Sequence, residues 1–222
     1  MRPQARVLAS LLILPALPLA GDAGAAASVA MEVSASVTPA ACTPMLSGGG
    51  VADYGVMTAN ILRPGQVTPL AAMSMVFSVN CDAAAKFSIL IIDNRSASVV
   101  PGIVAAGSGN NALTDDYNFG LGSSVGRNIG GYAIRFTTGS YTADYQPVQL
   151  MSSIDGQSWA NADTSAASKR LQYAWGTNAT TQAYRTLSGS LSVQAYVNQA
   201  EYLPLSQDIV LDGSATLELH YL

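Results

Sequence analysis

The chain has 222 residues, of which 49% are hydrophobic and only 11% are charged, and its formal net charge is −4. Lys86 and Lys169 are its two lysines. So few basic side chains offer little from which to build a phosphate-binding surface, which excludes nucleic acid as an expected partner.

The start of the chain has the pattern of a signal peptide. Arg2 and Arg6 precede an apolar stretch over residues 7–19, and small residues then offer cleavage after Ala25 or Ala27. Two prolines interrupt this short stretch, which makes the alternative role of a membrane anchor less suitable. We expect an exported protein whose mature part, about 195 residues, forms a single domain.

Two cysteines, Cys42 and Cys81, lie in the mature part. An even pair in an oxidising compartment is most simply a disulfide. A metal site is the alternative, but no histidine or further cysteine lies near either thiol at the spacing that metal ligands need. We therefore expect a disulfide, no metal site and no cofactor.

Short apolar or alternating runs, separated by Gly, Asn, Asp, Ser and Pro, predict an all-β fold. The expected strands cover residues 73–81, 86–92, 131–137, 148–152, 171–175, 188–197 and 215–222. The run at 86–92 is almost continuously apolar, as in a central strand, whereas the run at 188–197 alternates. Residues 138–169 are rich in small and polar side chains and are expected to form a long surface connection.

A predicted strand with one apolar face precedes the first cysteine. Alternate residues between 28 and 38 are apolar, namely Val29, Met31, Val33, Ala35 and Val37. This segment lies outside the loop that the two cysteines would close, so it is either an ordinary first strand or an extension that pairs elsewhere.

The chain ends inside a second alternating segment. Leu217, Leu219 and Tyr221 share one face, His220 lies on the other, and the last residue is Leu222. An apolar terminal strand is well suited to recognition by strand addition, in which backbone hydrogen bonds give affinity and alternate side chains give specificity.

With these features the chain resembles chaperone–usher fimbrial (pilus) subunits, in particular the β-fimbria-like family of proteobacteria. The shared features are the signal peptide, the alternating extension, the cysteine pair, the segment Asp53-Tyr54-Gly55 and the alternating end with its penultimate Tyr221. Cys81-Asp82, Asp93-Asn94-Arg95, Phe119-Gly120-Leu121-Gly122 and Ile129-Gly130-Gly131-Tyr132 also match the family pattern. The order and spacing of these motifs over most of the mature chain are more specific than any one of them.

The resemblance implies an incomplete immunoglobulin-like β-sandwich that is completed by donor-strand exchange. Residues 1–27 would be the signal peptide, 28–40 the donor-strand extension and 41–222 the pilin-like domain. Val29, Met31, Val33, Ala35 and Val37 would be donor residues, and Leu217, Leu219, Tyr221 and Leu222 would border the acceptor groove and meet a periplasmic chaperone.

By the same resemblance, the protein would pass through the periplasm and an outer-membrane usher to become part of a surface fimbrium. Its partners would be the chaperone, the usher and other pilus subunits, with a possible receptor on a host or other surface.

Two other function classes are alternatives to a fimbrial subunit. Catalysis has little support, because the single histidine lies in the terminal strand and the paired carboxylates Asp115 and Asp116 lie in a turn-like stretch; we expect no catalytic residues and no enzyme. A secreted carbohydrate-binding or adhesin module is the second alternative, in which Trp159, with Asn161 and Asp163 nearby, stacks on a sugar ring.

Overall fold

The computed structural model describes residues 40–222, together with Glu32 and Ser34. Residues 40–222 fall within one compact unit, Pro39–Leu222. The predicted signal peptide and the donor positions Val29, Met31, Val33, Ala35 and Val37 lie outside the described residues. The predictions made for them stay predictions.

The described chain is all-β, as expected, with one short helix. Its strands are β1 (Cys42–Leu46), β2 (Thr68–Pro69), β3 (Met73–Ala85), β4 (Phe87–Asp93), β5 (Phe119–Gly120), β6 (Ser123–Ser124), β7 (Arg127–Asn128), β8 (Gly130–Phe136), β9 (Thr142–Ala143), β10 (Gln146–Pro147), β11 (Gln149–Ser153), β12 (Ala160–Asn161), β13 (Gln172–Thr177), β14 (Thr180–Thr181), β15 (Tyr184–Val197) and β16 (Ala215–Tyr221). The helix is α1 (Ile103–Ser108), and single 3-10 turns cover Ser47–Gly50, Ala59–Ile61, Ser96–Ser98, Asp115–Tyr117 and Ala200–Tyr202.

The strands form two main antiparallel sheets. The first has the order β1-β3-β15-β8-β5, with β2, β9 and β10 attached, and the second has the order β12-β11-β13-β4-β16, with β14 attached. Lys86 alone separates β3 from β4, so the chain passes from one sheet to the other in a single residue. A separate two-stranded ribbon is formed by β6 and β7.

The core lies between the sheets and is rich in aromatic rings. Phe77 and Phe136 of the first sheet lie 5.8 and 5.6 Å, centroid to centroid, from Trp175 of the second. Phe136 also lies 5.1 Å from Tyr173, and Tyr141 lies 5.0 Å from Trp175. These contacts hold the two sheets face to face, since each fully buried side chain of this size stabilises the fold by about 1.5–3 kcal/mol.

Residues 138–169 do not form the surface connection that the sequence predicted. They contain β9 to β12, and Tyr141, Val148 and Met151 are buried. The Tyr141 ring packs over Gly189 of β15, where an added Cβ would lie 2.3 Å from it. The sequence predicted one strand in this stretch, at residues 148–152, and it corresponds to β11. It did not predict β9, β10 and β12, because two residues are too few for an alternating pattern to appear.

The helix α1 covers the outer face of the first sheet near one end. Ile103 and Val104 are buried in a small second cluster with Tyr196 of β15 and Ala133 of β8. The sequence did not predict this helix, because six residues are too few for a helical period to appear.

The sandwich has two ends that matter for the site. At the end that we call the disulfide end, Cys42 pairs with Cys81, and the last residue of β16, Tyr221, pairs with the first residue of β4, Phe87. At the opposite end, called the far end, β16 begins at Ala215 and the chain leaves β15 after Val197.

The predicted disulfide between Cys42 and Cys81 is confirmed, and it joins opposite residues of β1 and β3. The bond joins residues that are 39 positions apart in the sequence, and it attaches the edge strand β1 to the sheet. In an edge strand the Pro44 ring is tolerated, because its missing N–H does not interrupt a central ladder.

The substitution Cys81→Ala should lower the free energy of unfolding by about 2–5 kcal/mol, because it releases the closed loop in the unfolded state. Urea denaturation of the purified protein measures this loss. Cys42→Ala should cost the same, since it removes the same bond. Alkylation of two thiols in fresh native protein, detected by mass spectrometry, would contradict the assignment.

Candidate functional site

The candidate site lies between β1 and β16, the outer strands of the two sheets. Within the described residues, each of these strands pairs with one neighbour only, β3 and β4 respectively. The backbone N–H and C=O groups on the open edge of each strand are therefore available to another strand.

The inner face of β16 consists of Leu217, Leu219 and Tyr221. They align with Ile91, Ile89 and Phe87 of β4, whose side chains are at most 5% exposed. The two leucines are only half-buried and Tyr221 is 52% exposed. The second sheet thus has a buried floor next to an edge strand whose apolar side chains remain partly uncovered.

The inner face of β1 forms the opposite wall. Pro44 and Leu46 align with Val79 and Phe77 of β3, which are 0% and 1% exposed. Pro44 itself is exposed although it faces inward, since no described residue covers it. An open groove of about 320 Å³ lies between Leu46 on one wall and Leu217 on the other, and Phe77 is among its lining residues.

Tyr221 connects the two walls at the disulfide end. Its hydroxyl oxygen accepts a hydrogen bond from the backbone N–H of Cys42, with 2.8 Å between the nitrogen and the oxygen. The backbone N–H of Leu222 donates to the carbonyl of Lys86 at 3.0 Å, and the Leu222 side chain is 44% exposed. The penultimate tyrosine therefore sets the spacing of the two edge strands at the end where the chain stops.

Of the four residues predicted to border a groove, Leu217, Leu219 and Tyr221 lie on the inner face of β16 and Leu222 follows it; Leu217 lines the described groove. Their predicted role as chaperone contacts stays a prediction. The sequence did not predict the second wall, Pro44 and Leu46. The alternation of Cys42, Pro44 and Leu46 directly after the extension was an available signal, but five residues containing a proline were not recognised as a strand.

His220 lies on the outer face of β16, opposite the groove-facing residues, as expected. Its side chain is 42% exposed, and its Nε2 lies 3.5 Å from the Oε2 of Glu218 on the same face. Within the described residues, no serine or cysteine side chain is hydrogen-bonded to it.

Asp115 and Asp116 have structural roles. The Asp115 carboxylate accepts hydrogen bonds from the backbone N–H of Gly102 at 2.7 Å and from the side chain of Asn118 at 3.0 Å. Asp116 lies 3.9 Å from the guanidinium of Arg170. Among residues 40–222, no group of three acidic, histidine or cysteine side chains is placed to hold a metal ion.

The segment Asp53-Tyr54-Gly55 attaches the stretch after β1 to the first sheet. The Asp53 carboxylate accepts from the Gly55 N–H at 2.8 Å, and the Tyr54 hydroxyl accepts from the N–H of Ala195 at 3.1 Å. Burial raises the pKa of Tyr54, so the phenol stays protonated at neutral pH. This motif therefore holds the chain that follows the groove wall and does not line the groove.

Trp159 is partly buried, and Asn161 beside it is exposed. The longest helix within residues 40–222 has six residues, so no helix there is able to cross a membrane.

A family model described as "Protein of unknown function (DUF1120)" matches residues 31–133. Two proteins of Escherichia coli (strain K12) are similar over most of their length. "Uncharacterized protein YhcF" is 27% identical over 233 residues, which cover 96% of this chain and 98% of that protein. "Protein GltF" is 26% identical over 227 residues, covering 86% and 87%. The family match includes β1, β3 and β4, and so one groove wall and the floor, while β16 lies beyond it.

The substitution Tyr221→Phe should remove the hydrogen bond across the groove and increase amide exchange at Cys42. Because the contact is solvent-exposed, the free energy of unfolding should fall by no more than about 0.5–1.5 kcal/mol. Hydrogen–deuterium exchange and urea denaturation measure the two effects. Tyr202→Phe is the control, since Tyr202 is also exposed and its hydroxyl makes no hydrogen bond within residues 40–222. Equal exchange at Cys42 in both variants would contradict the assigned contact.

Proposed function

We propose that this protein is a structural subunit of a surface fimbria that polymerises by donor-strand exchange. The observation that carries the proposal is the open groove between β1 and β16, which has a buried apolar floor and two unpaired strand edges. Such a groove accepts an extended segment with apolar residues at alternate positions. Residues 29–37 of a neighbouring subunit have that pattern.

The strand order supports an immunoglobulin-like sandwich that lacks its last strand. In that fold one sheet has the order A-B-E-D and the other contains C, F and G. Here β1, β3, β15 and β8 correspond to the first set, and β4 and β16 correspond to C and F. The position of G, beside β16, is the open side of the groove.

Dimensions and energetics also favour the extension as the missing strand. Nine residues of strand span about 30 Å, enough to run the length of β16, which has seven residues. Burial of the valines and methionine of the extension would contribute about 1.5–3 kcal/mol per side chain, in addition to the backbone hydrogen bonds. The filled groove would then be far more stable than the open one.

An open groove of this kind also requires protection before assembly. Exposed apolar residues along an unpaired strand are an aggregation hazard. A periplasmic chaperone that adds a strand to β16 would cover the groove until the outer-membrane usher exchanges it for the next subunit's extension. The protein would have no catalytic role, and Leu217, Leu219, Tyr221 and Leu222 would be its contacts to the chaperone. A carbohydrate-binding role for Trp159 remains the alternative, with no described contact in its favour.

A charge in the groove should prevent polymerisation without unfolding the subunit. Pro44→Asp places a carboxylate on the inner face of β1 at a position that is exposed in the open domain. We expect wild-type protein to form SDS-resistant oligomers and Pro44→Asp to form none, because the inserted strand would bury the added charge. Thr43→Asp is the matched control, since Thr43 is the adjacent exposed residue on the outer face. If Pro44→Asp and Thr43→Asp both formed these oligomers, the oligomers would not depend on a strand inserted into the groove, and the proposal would be contradicted.

Residues 28–38, moved behind Leu222 on a short flexible linker, should fill the groove of the same molecule. The product should be a monomer in sedimentation experiments, with a clearly higher Tm than the parent, because the core is closed along its open side. Val33→Asp in the transplanted strand should remove most of the gain. An unchanged Tm would mean that residues 29–37 are not a donor strand.

A further inference from the structure

The extension leaves the domain at a fixed point on the disulfide end. The Asp82 carboxylate accepts from the backbone N–H of Ala41 at 2.8 Å, and the Asp82 N–H donates to the Ala41 carbonyl at 3.1 Å. With the adjacent disulfide, these bonds hold the first described residues against the end of β3. Between Val37, the last apolar residue of the extension, and Ala41 the chain extends by at most about 14 Å.

A strand in the groove antiparallel to β16 would leave the groove at the far end, because β16 runs towards the disulfide end. Every strand pair among the described residues is antiparallel, and antiparallel pairing is the more stable arrangement. The extension of one subunit would then leave the groove of a second subunit at the far end of that second subunit. The disulfide end of the first subunit would lie close by, because only a few residues connect it to the extension. The two ends therefore become an interface between copies.

The disulfide end presents an exposed aromatic tip. Tyr145 is 91% exposed in the turn between β9 and β10, at φ +66°. The adjacent Asp144 holds this turn against β15, because its carboxylate accepts hydrogen bonds from the backbone N–H groups of Arg185 and Thr186 at 3.1 and 2.8 Å. The turn therefore carries the exposed ring at a fixed point on this end of the domain.

The far end presents a concavity. An open groove of about 360 Å³ is lined by apolar residues such as Pro101, by Tyr202, and by the polar residues Arg127, Asn128 and Asn198. Tyr202 is 54% exposed. Beside it Val125 is 70% exposed at φ +48°, a backbone conformation that costs energy for a β-branched residue. Neither the exposed apolar area nor the strained turn stabilises the isolated domain.

The tip and the concavity have similar offsets from the groove. Tyr145 follows β9, which pairs with β15, and the far-end concavity lies where the chain leaves β15 and enters β8. Both positions are two to three strands from β1 in the first sheet, roughly 10–14 Å at the usual strand spacing. Two features at a similar distance from the groove meet at one particular rotation of a subunit relative to the subunit that holds its extension.

We propose that consecutive subunits are held end to end by the Tyr145 tip of one copy against the Tyr202 concavity of the copy that holds its extension. The inference rests on the proposed donor-strand exchange and identifies a second contact between the same two subunits. That contact would fix the angle between subunits, whereas the donor strand alone joins them through only a few residues.

Cysteine cross-linking in fibres sheared from producing cells tests this contact. The full chain carrying both Tyr145→Cys and Tyr202→Cys should form disulfide-linked ladders under mild oxidation, because the native cysteines are already bonded to each other. The control combines Tyr145→Cys with Ile154→Cys, which is 72% exposed but follows β11 of the second sheet. It should give no ladder.

A second measurement uses the wild-type protein. Amide exchange of residues 142–146 and 199–205 should be slower in SDS-resistant oligomers than in the transplanted-strand monomer, whose ends are free. Oligomers that resist SDS but show neither the specific cross-link nor this protection would overturn the end-to-end contact and leave strand exchange intact. Absence of SDS-resistant oligomers from the wild type would overturn both.

Discussion

The unclosed side of the hydrophobic core is the feature on which the rest of this structure depends. Phe87, Ile89 and Ile91 of β4 are buried, yet their neighbours on the same face of β16, Leu217, Leu219 and Tyr221, are only partly covered. A sandwich normally covers such residues with one further strand. Within the described residues no such strand lies beside β16, so the domain keeps both a nearly complete core and a site where a strand from elsewhere would add considerable stability.

The disulfide and Tyr221 explain how an open groove keeps its shape. An edge strand as short as β1, which also contains a proline, has few hydrogen bonds to hold it. The Cys42–Cys81 bond fixes it to β3, and the Tyr221 hydroxyl joins its first residue to the last residues of β16. Both constraints act at the same end, so the spacing of the two walls is set there.

The two ends of the sandwich carry features that the isolated domain does not need. Tyr145 and Val125 occupy left-handed positions in tight turns, where glycine or asparagine is usual, and both side chains are exposed. Residues that reduce the stability of a free domain are often retained for a contact made in an assembly. In the proposed fibre these features would meet, because a donor strand that leaves the groove at the far end brings the ends of neighbouring copies together.

The sequence by itself determined the all-β class, the seven longer strands, the disulfide and the apolar face of the last strand, because alternation and cysteine pairing are local signals that a single strand carries. It did not reveal β1, which contains a proline, or α1, β9, β10 and β12, whose lengths are below what periodicity detects. Only the tertiary structure decided that Pro44 and Leu46 face Leu217 across a groove and that the end of the chain closes it. Those residues lie far apart in sequence, and it is the passage from β3 to β4 through Lys86 that brings the two sheet edges to the same side.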